Sequence, residues 1–133
     1  MAATGEGPRP LELKLRTRSR VLEVRFDDGA GFELPFEYLR VYSPSAEVRG
    51  HGPGQETLQL GKHAVAITKV EPVGQYAVRL VFDDGHDTGL YTWGYLHELG
   101  RTREQKWQQY LERLAKLGIG YPTVVPSRPG KSS

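Results

Sequence analysis

Apolar positions recur with period two over three stretches of the chain. Leu11, Leu13 and Leu15 alternate with Glu12, Lys14 and Arg16, and Leu22, Val24 and Phe26 alternate with Glu23 and Arg25. Tyr76, Val78, Leu80 and Phe82 repeat the pattern in the second half, after a short apolar pair at Val65 and Ile67. Successive side chains of a strand point to opposite faces, so this period predicts strands with one face buried. Phe26 and Phe82 are each followed by Asp-Asp-Gly. Glycine takes the positive φ of a hairpin turn and aspartate bonds the neighbouring backbone, so both segments predict hairpins that return at 31–34 and 88–91. Pro35 suits the first turn of a short helix over 36–39. Thr92 can cap a second over 93–99, ended by Gly100.

The spacing then changes to that of a helix. Trp107, Tyr110, Leu111, Leu114 and Leu117 lie on one face, preceded by a Thr102–Gln105 capping-box pattern and followed by Gly118. Each half therefore reads as strand, Asp-Asp-Gly turn, returning strand and a helical turn ending in Tyr-Leu. The fold class expected is α+β, a two-layer arrangement in which an antiparallel sheet built from two similar β-units is covered by the C-terminal helix. Residues 1–10 and 122–133 are rich in Gly, Pro and Ser and read as a disordered lead and tail around a folded region of 11–121. Residues 41–59 are almost devoid of apolar side chains and predict a long polar loop.

Composition narrows the function classes. The chain has 133 residues, 38% hydrophobic and 26% charged, with a net charge of +2 and no cysteine. Disulfides, thiolate metal sites and cysteine nucleophiles are excluded. The small net charge gives no case for nucleic acid, and the basic residues Arg9, Lys14, Arg16, Arg18 and Arg20 read as strand and turn positions. No apolar run approaches the roughly 18 residues of a membrane span, and the N-terminus lacks the apolar core of a signal peptide, so the expectation is a cytoplasmic protein. No phosphate-binding Gly-rich loop, His-Glu-x-x-His or Gly-x-Ser-x-Gly is present. Ser43 and Ser45 have no activating base next to them in sequence.

Two segments together, YLRVYSPSAEVRGHGPGQ and FDDGHDTGLYTWGYLHELG, resemble the gamma-butyrobetaine hydroxylase-like N-terminal domain family over most of the folded region. The resemblance is to the small stand-alone bacterial members, which have no established activity. Other members form the N-terminal domain of gamma-butyrobetaine and trimethyllysine dioxygenases, or are fused to ATPases that carry iron–sulfur clusters. In the dioxygenases the resemblance implies a structural zinc held by three cysteines and a histidine. Here Ser43, Ser45 and Val48 stand at the cysteine positions and His86 at the histidine, and one ligand of four does not make such a site. The dioxygenase iron belongs to a separate domain that a chain of this length does not hold, so no enzyme activity is expected.

The reading this supports is a small non-enzymatic accessory domain that binds a protein partner, linked by the family's fusions to iron–sulfur or metalloenzyme metabolism. Its candidate binding residues are Arg40, then Ser43, Ser45, Glu47 and Arg49 of the polar loop, with Trp93 and Tyr95. The alternative is a mononuclear Fe or Zn protein using His86 and His51, completed by Asp84 and Asp87. No cofactor is certain on either reading.

Overall fold

A computed structural model describes residues 8–45, 48 and 58–123. Three strands open the chain: β1 (Pro10–Arg16), β2 (Val21–Phe26) and β3 (Gly31–Pro35), followed by the short helix α1 (Phe36–Val41). The second half repeats this with β4 (Ile67–Val73), β5 (Ala77–Phe82), β6 (Leu90–Thr92) and α2 (Trp93–Arg101), and then adds α3 (Arg103–Lys116). Each half forms its own three-stranded antiparallel sheet, in the orders β1-β2-β3 and β4-β5-β6. The α+β class and the two similar β-units are those expected from the sequence. The one sheet expected is instead two, joined through side chains in a shared core and not by backbone pairing.

The likeness of the halves extends to single hydrogen bonds. Phe26 N–H donates to the Ala30 carbonyl at 2.8 Å, and Phe82 N–H to that of His86 at 2.9 Å. The first aspartate of each pair ties the turn to the residue just before the outer strand. Asp27 exchanges bonds with the Arg9 backbone and Asp83 with that of Ala66. The second aspartate closes the turn, Asp28 Oδ1 on Ala30 N–H and Asp84 Oδ1 on His86 N–H. Gly29 and Gly85 sit at φ +90° and +92°, where an L side chain is strained. Both outer strands carry a register shift near their start, at Pro10/Glu12 and Ile67/Lys69.

One core serves both halves. Leu22, Val24, Phe26 and Leu34 of the first sheet pack with Ile67, Leu80, Phe82 and Tyr91 of the second, together with Leu39 of α1 and Leu96 and Leu99 of α2. A smaller cluster joins Val41 to Tyr110 and Leu114 of α3, and Trp107 touches both clusters. The sheets are thus covered directly by α1 and α2, and α3 joins from the side. Past α3, a positive φ at Gly118 turns the chain back, and Thr123 is buried against the Gly61 N–H that donates to its hydroxyl.

Three local expectations are corrected. Leu11 is 62% exposed, because the bulge between Pro10 and Glu12 breaks the alternation that would turn it inward. Gly100 does not end α2, which runs on to Arg101. The capping box does not form: Thr102 sits at φ −111°, ψ 23° and not in the extended backbone of an N-cap, its side chain makes no cap hydrogen bond to α3, and its hydroxyl donates to the Glu98 carbonyl of α2 at 2.7 Å. The basic residues of the first sheet pair with its glutamates: Arg16 with Glu23 and Arg25 with Glu12 across strands, and Lys14 with Glu12 along β1. Among the described residues no helix is long and apolar enough to cross a membrane.

Candidate functional site

The segment after α1 is held against the second unit's turn by side chains from both. Tyr95 of α2 donates its hydroxyl to the Tyr42 carbonyl at 2.6 Å, which fixes where the chain leaves α1. Ser43 follows, and its Oγ lies 2.8 Å from His86 Nε2. Both are inside, at 1% and 5% exposure. Ser45 N–H donates to Ser43 Oγ at 3.2 Å, and the Ser45 hydroxyl meets that of Thr88 at 2.6 Å. Val48, also buried, donates its N–H to the Ser45 carbonyl. Gly89 is the residue this closure requires, since a Cβ there would lie 2.4 Å from Ser43 Oγ.

Beside this cluster lies a charged one, centred on Asp84. Its Oδ2 accepts from Arg40 Nε at 2.9 Å and Lys62 Nζ at 2.7 Å, and its Oδ1 from His86 N–H at 3.1 Å. Arg40 is buried and spends a second donor on Gln59 Oε1 at 3.0 Å. Burial alone would raise the Asp84 carboxyl. The Lys62 bond, the His86 N–H and the Arg40 guanidinium outweigh it and hold the group at about 2. Asp84 is therefore an anion whose lone pairs are already engaged, and a metal would have to displace two cations to reach it.

Of the residues singled out in the sequence, the structure brings Arg40, Ser43, Ser45, Asp84 and His86 into one contiguous region, with Asp87 half-buried next to it. Glu47, Arg49 and His51 lie outside the described residues. Arg40, Ser43 and Ser45 face inward and are not available as a surface. Trp93 donates its indole N–H to the Gln75 carbonyl, and Tyr95 holds the loop as described, so both serve packing. Gln59, Lys62 and Thr88 were not anticipated. The first two fall in polar sequence with no periodicity, and only folding places them beside the Asp-Asp-Gly turn. The spacing of 43 residues likewise concealed that Ser43 has an imidazole partner.

The structural zinc implied by the resemblance does not fit these residues. Ser43, Ser45, Val48 and His86 do converge, but they offer one imidazole, two neutral hydroxyls and an isopropyl group, and zinc sites of this kind need thiolates or further imidazoles. Among the described residues no group of three or more His, Asp or Glu is placed to hold a metal ion. A Ser–His pair can also be a nucleophile and its base, but here both partners are buried, and Ser43 Oγ lies close to where a Cβ at Gly89 would be.

The family described as Gamma-butyrobetaine hydroxylase-like, N-terminal matches residues 13–97. The chain belongs to this family. Its α+β architecture recurs in solved structures. A crystal structure of a protein of unknown function from the DUF971 family of Acidithiobacillus ferrooxidans is 43% identical, covering 69% of this chain and 92% of that one with a TM-score of 0.59. Two solution structures determined by NMR are each 44% identical, with TM-scores of 0.75 and 0.77. One covers 93% of this chain and 97% of its own, the other 100% and 99%. No curated protein matches. The crystallised relative is described as a protein of unknown function.

Proposed function

We propose that the protein is a non-enzymatic accessory domain that works by binding a protein partner, in the setting of iron–sulfur or metalloenzyme metabolism that the family's fusions suggest. The observation that supports this reading is the closure of the Ser43–Ser45–Val48–His86 region by its own hydrogen bonds and packing. Where the zinc-bearing members of the family would spend these positions on a metal, Ser43, Ser45 and Val48 are here held by hydrogen bonds and packing, and the Ser43–His86 pair is buried. What remains for function is the outer surface. Such a domain contributes by presenting a shape to a partner and needs no group of its own to react.

Two measurements bear on it. Elemental analysis of protein purified without an affinity tag should find iron and zinc well below one equivalent. Cross-linking in the source cell should recover an iron–sulfur or other metalloprotein component. A stoichiometric metal would favour the His86–His51 site instead, and recovery of no such component would remove the metabolic setting.

A further inference from the structure

A cleft of about 1100 Å³ opens between α1, the α2–α3 junction and the segment after α3, and neither Ser43 nor His86 lines it. Its walls include Tyr38, Trp107 and Tyr121, and Glu37 lies among them. Trp107 and Tyr121 meet edge to face at 5.6 Å between ring centres, and Tyr38 and Trp107 do the same at 6.3 Å. Glu37 Oε1 accepts the Tyr121 hydroxyl. Glu37 Oε2 is buried and receives no hydrogen bond. Arg101 and Arg103 line the same cleft but do not donate to it. Arg103 spends its Nη1 on the Glu33 carbonyl at 2.8 Å.

A buried acceptor with no donor is costly, and more so when it is charged. Here burial pushes the Glu37 carboxyl up, and the Tyr121 hydroxyl and nearby His63 only partly offset it. The group is one donor short, and a donor that also carries positive charge would satisfy both deficits. Aromatic rings around it are the other half of such a site, because a cation is attracted to ring faces. Tyr121 is 47% exposed and forms the outer wall on a segment beyond the last helix, so a donor would reach Oε2 by displacing that ring and its bond to Oε1.

The geometry points to a binding site for an organic cation that carries N–H donors, a primary ammonium or a guanidinium group, with the Glu37 carboxylate as acceptor and Trp107 and Tyr121 as walls. The requirement for N–H donors distinguishes it from a site built on ring faces alone. The same chemistry is offered by a free guanidine or by an arginine side chain, so the test has an arm for each.

The indole N–H resonances of Trp107 and Trp93 report on the cleft and on a control position whose indole is tied to the Gln75 carbonyl. The full chain is titrated with butylguanidinium, with an acetylated and amidated Gly-Arg-Gly peptide, and with tetramethylammonium. At least one of the first two should move the Trp107 resonance saturably and leave that of Trp93 in place, while tetramethylammonium at the same concentration does not. Tighter binding of the peptide assigns the site to a side chain, and equal binding assigns it to a free cation. Glu37→Gln should weaken the response about tenfold or more. Glu37→Asp, which keeps the charge but draws it back, should weaken it less. No saturable shift with either N–H cation, an equal response to tetramethylammonium, or undiminished binding by a folded Glu37→Gln variant would overturn the proposal.

Discussion

A carboxylate that accepts from Arg40, Lys62 and a backbone N–H at once loses all three attractions when it is protonated. Asp84 is held at about 2 against an ordinary value of 3.8, so its contribution to stability is complete above about pH 4 and is lost as the pH falls through about 2. Thermal melts of the wild type should decline across that window. Asp84→Asn should melt lower at pH 7, by the equivalent of about 1–3 kcal/mol, because Arg40 would be left buried beside a neutral amide. The variant should lack this part of the acid-side decline, and an unchanged acid profile would refute the assignment. At the same scale, Ser43 meets His86, Ser45 bonds to Ser43, and Val48 N–H bonds to Ser45, with hydroxyls and a methyl pair at the positions where the resemblance implies thiols. Combined replacement of all three by cysteine should convert the chain into a zinc binder with about one equivalent bound, detected by elemental analysis, where the wild type retains none. The turn role of Asp28 and Asp84 was legible in the sequence because Asp-Asp-Gly has local turn chemistry, whereas the ties of Asp27 to Arg9 and Asp83 to Ala66 were not. The Arg40–Gln59 and Ser43–His86 contacts were not, because nothing local encodes which distant partner a polar side chain meets.

Alternation and helical spacing placed the strands and helices well, since each follows from the face that must be buried. They failed where two elements share atoms. Gly100 looks like a helix terminator from the sequence, yet it lies inside α2 because β3 passes too close for any side chain. A Cβ there would fall 2.2–2.6 Å from the Phe32 ring carbons. Gly100→Ala should therefore destabilise by about 1–3 kcal/mol, even though alanine is the better helix former by about 1 kcal/mol, since the ring or the whole helix must shift. Urea unfolding would show a lower midpoint with an unchanged slope, and a higher midpoint would mean the ring moves aside at little cost. Thr102 failed as a capping box for a related reason. The junction of α2 and α3 is a single residue, so its hydroxyl is drawn back to the Glu98 carbonyl of the helix behind. Leu11 was lost to a bulge, a one-residue event that alternation cannot register.

At the scale of the molecule, the question is what makes two small sheets one protein. No strand of one sheet pairs with a strand of the other, so the backbone ladders do not cross. Side chains do. Leu80 and Phe82 of the second unit share a core with Leu22 and Leu34 of the first. Tyrosine hydroxyls then bond across the boundary at 2.6 Å: Tyr38 of α1 to the Leu99 carbonyl of α2, Tyr42 to that of Lys106 in α3, and Tyr91 of β6 to that of Leu39 in α1. Tyr91 is wholly buried, so its phenol stays protonated through the ordinary range and keeps its donor. A core with a shared centre and donors on both sides cannot open in one half while the other stays closed. Unfolding should accordingly be a single transition, with far-ultraviolet circular dichroism and tryptophan fluorescence coinciding. Tyr91→Phe removes one cross-boundary donor without removing volume, and it should cost about 1–2 kcal/mol while leaving the transition single. Separation of the two signals in the wild type would show that the halves are independent units that merely touch. Separation in Tyr91→Phe alone would show that the hydroxyls, more than the shared apolar core, supply the coupling.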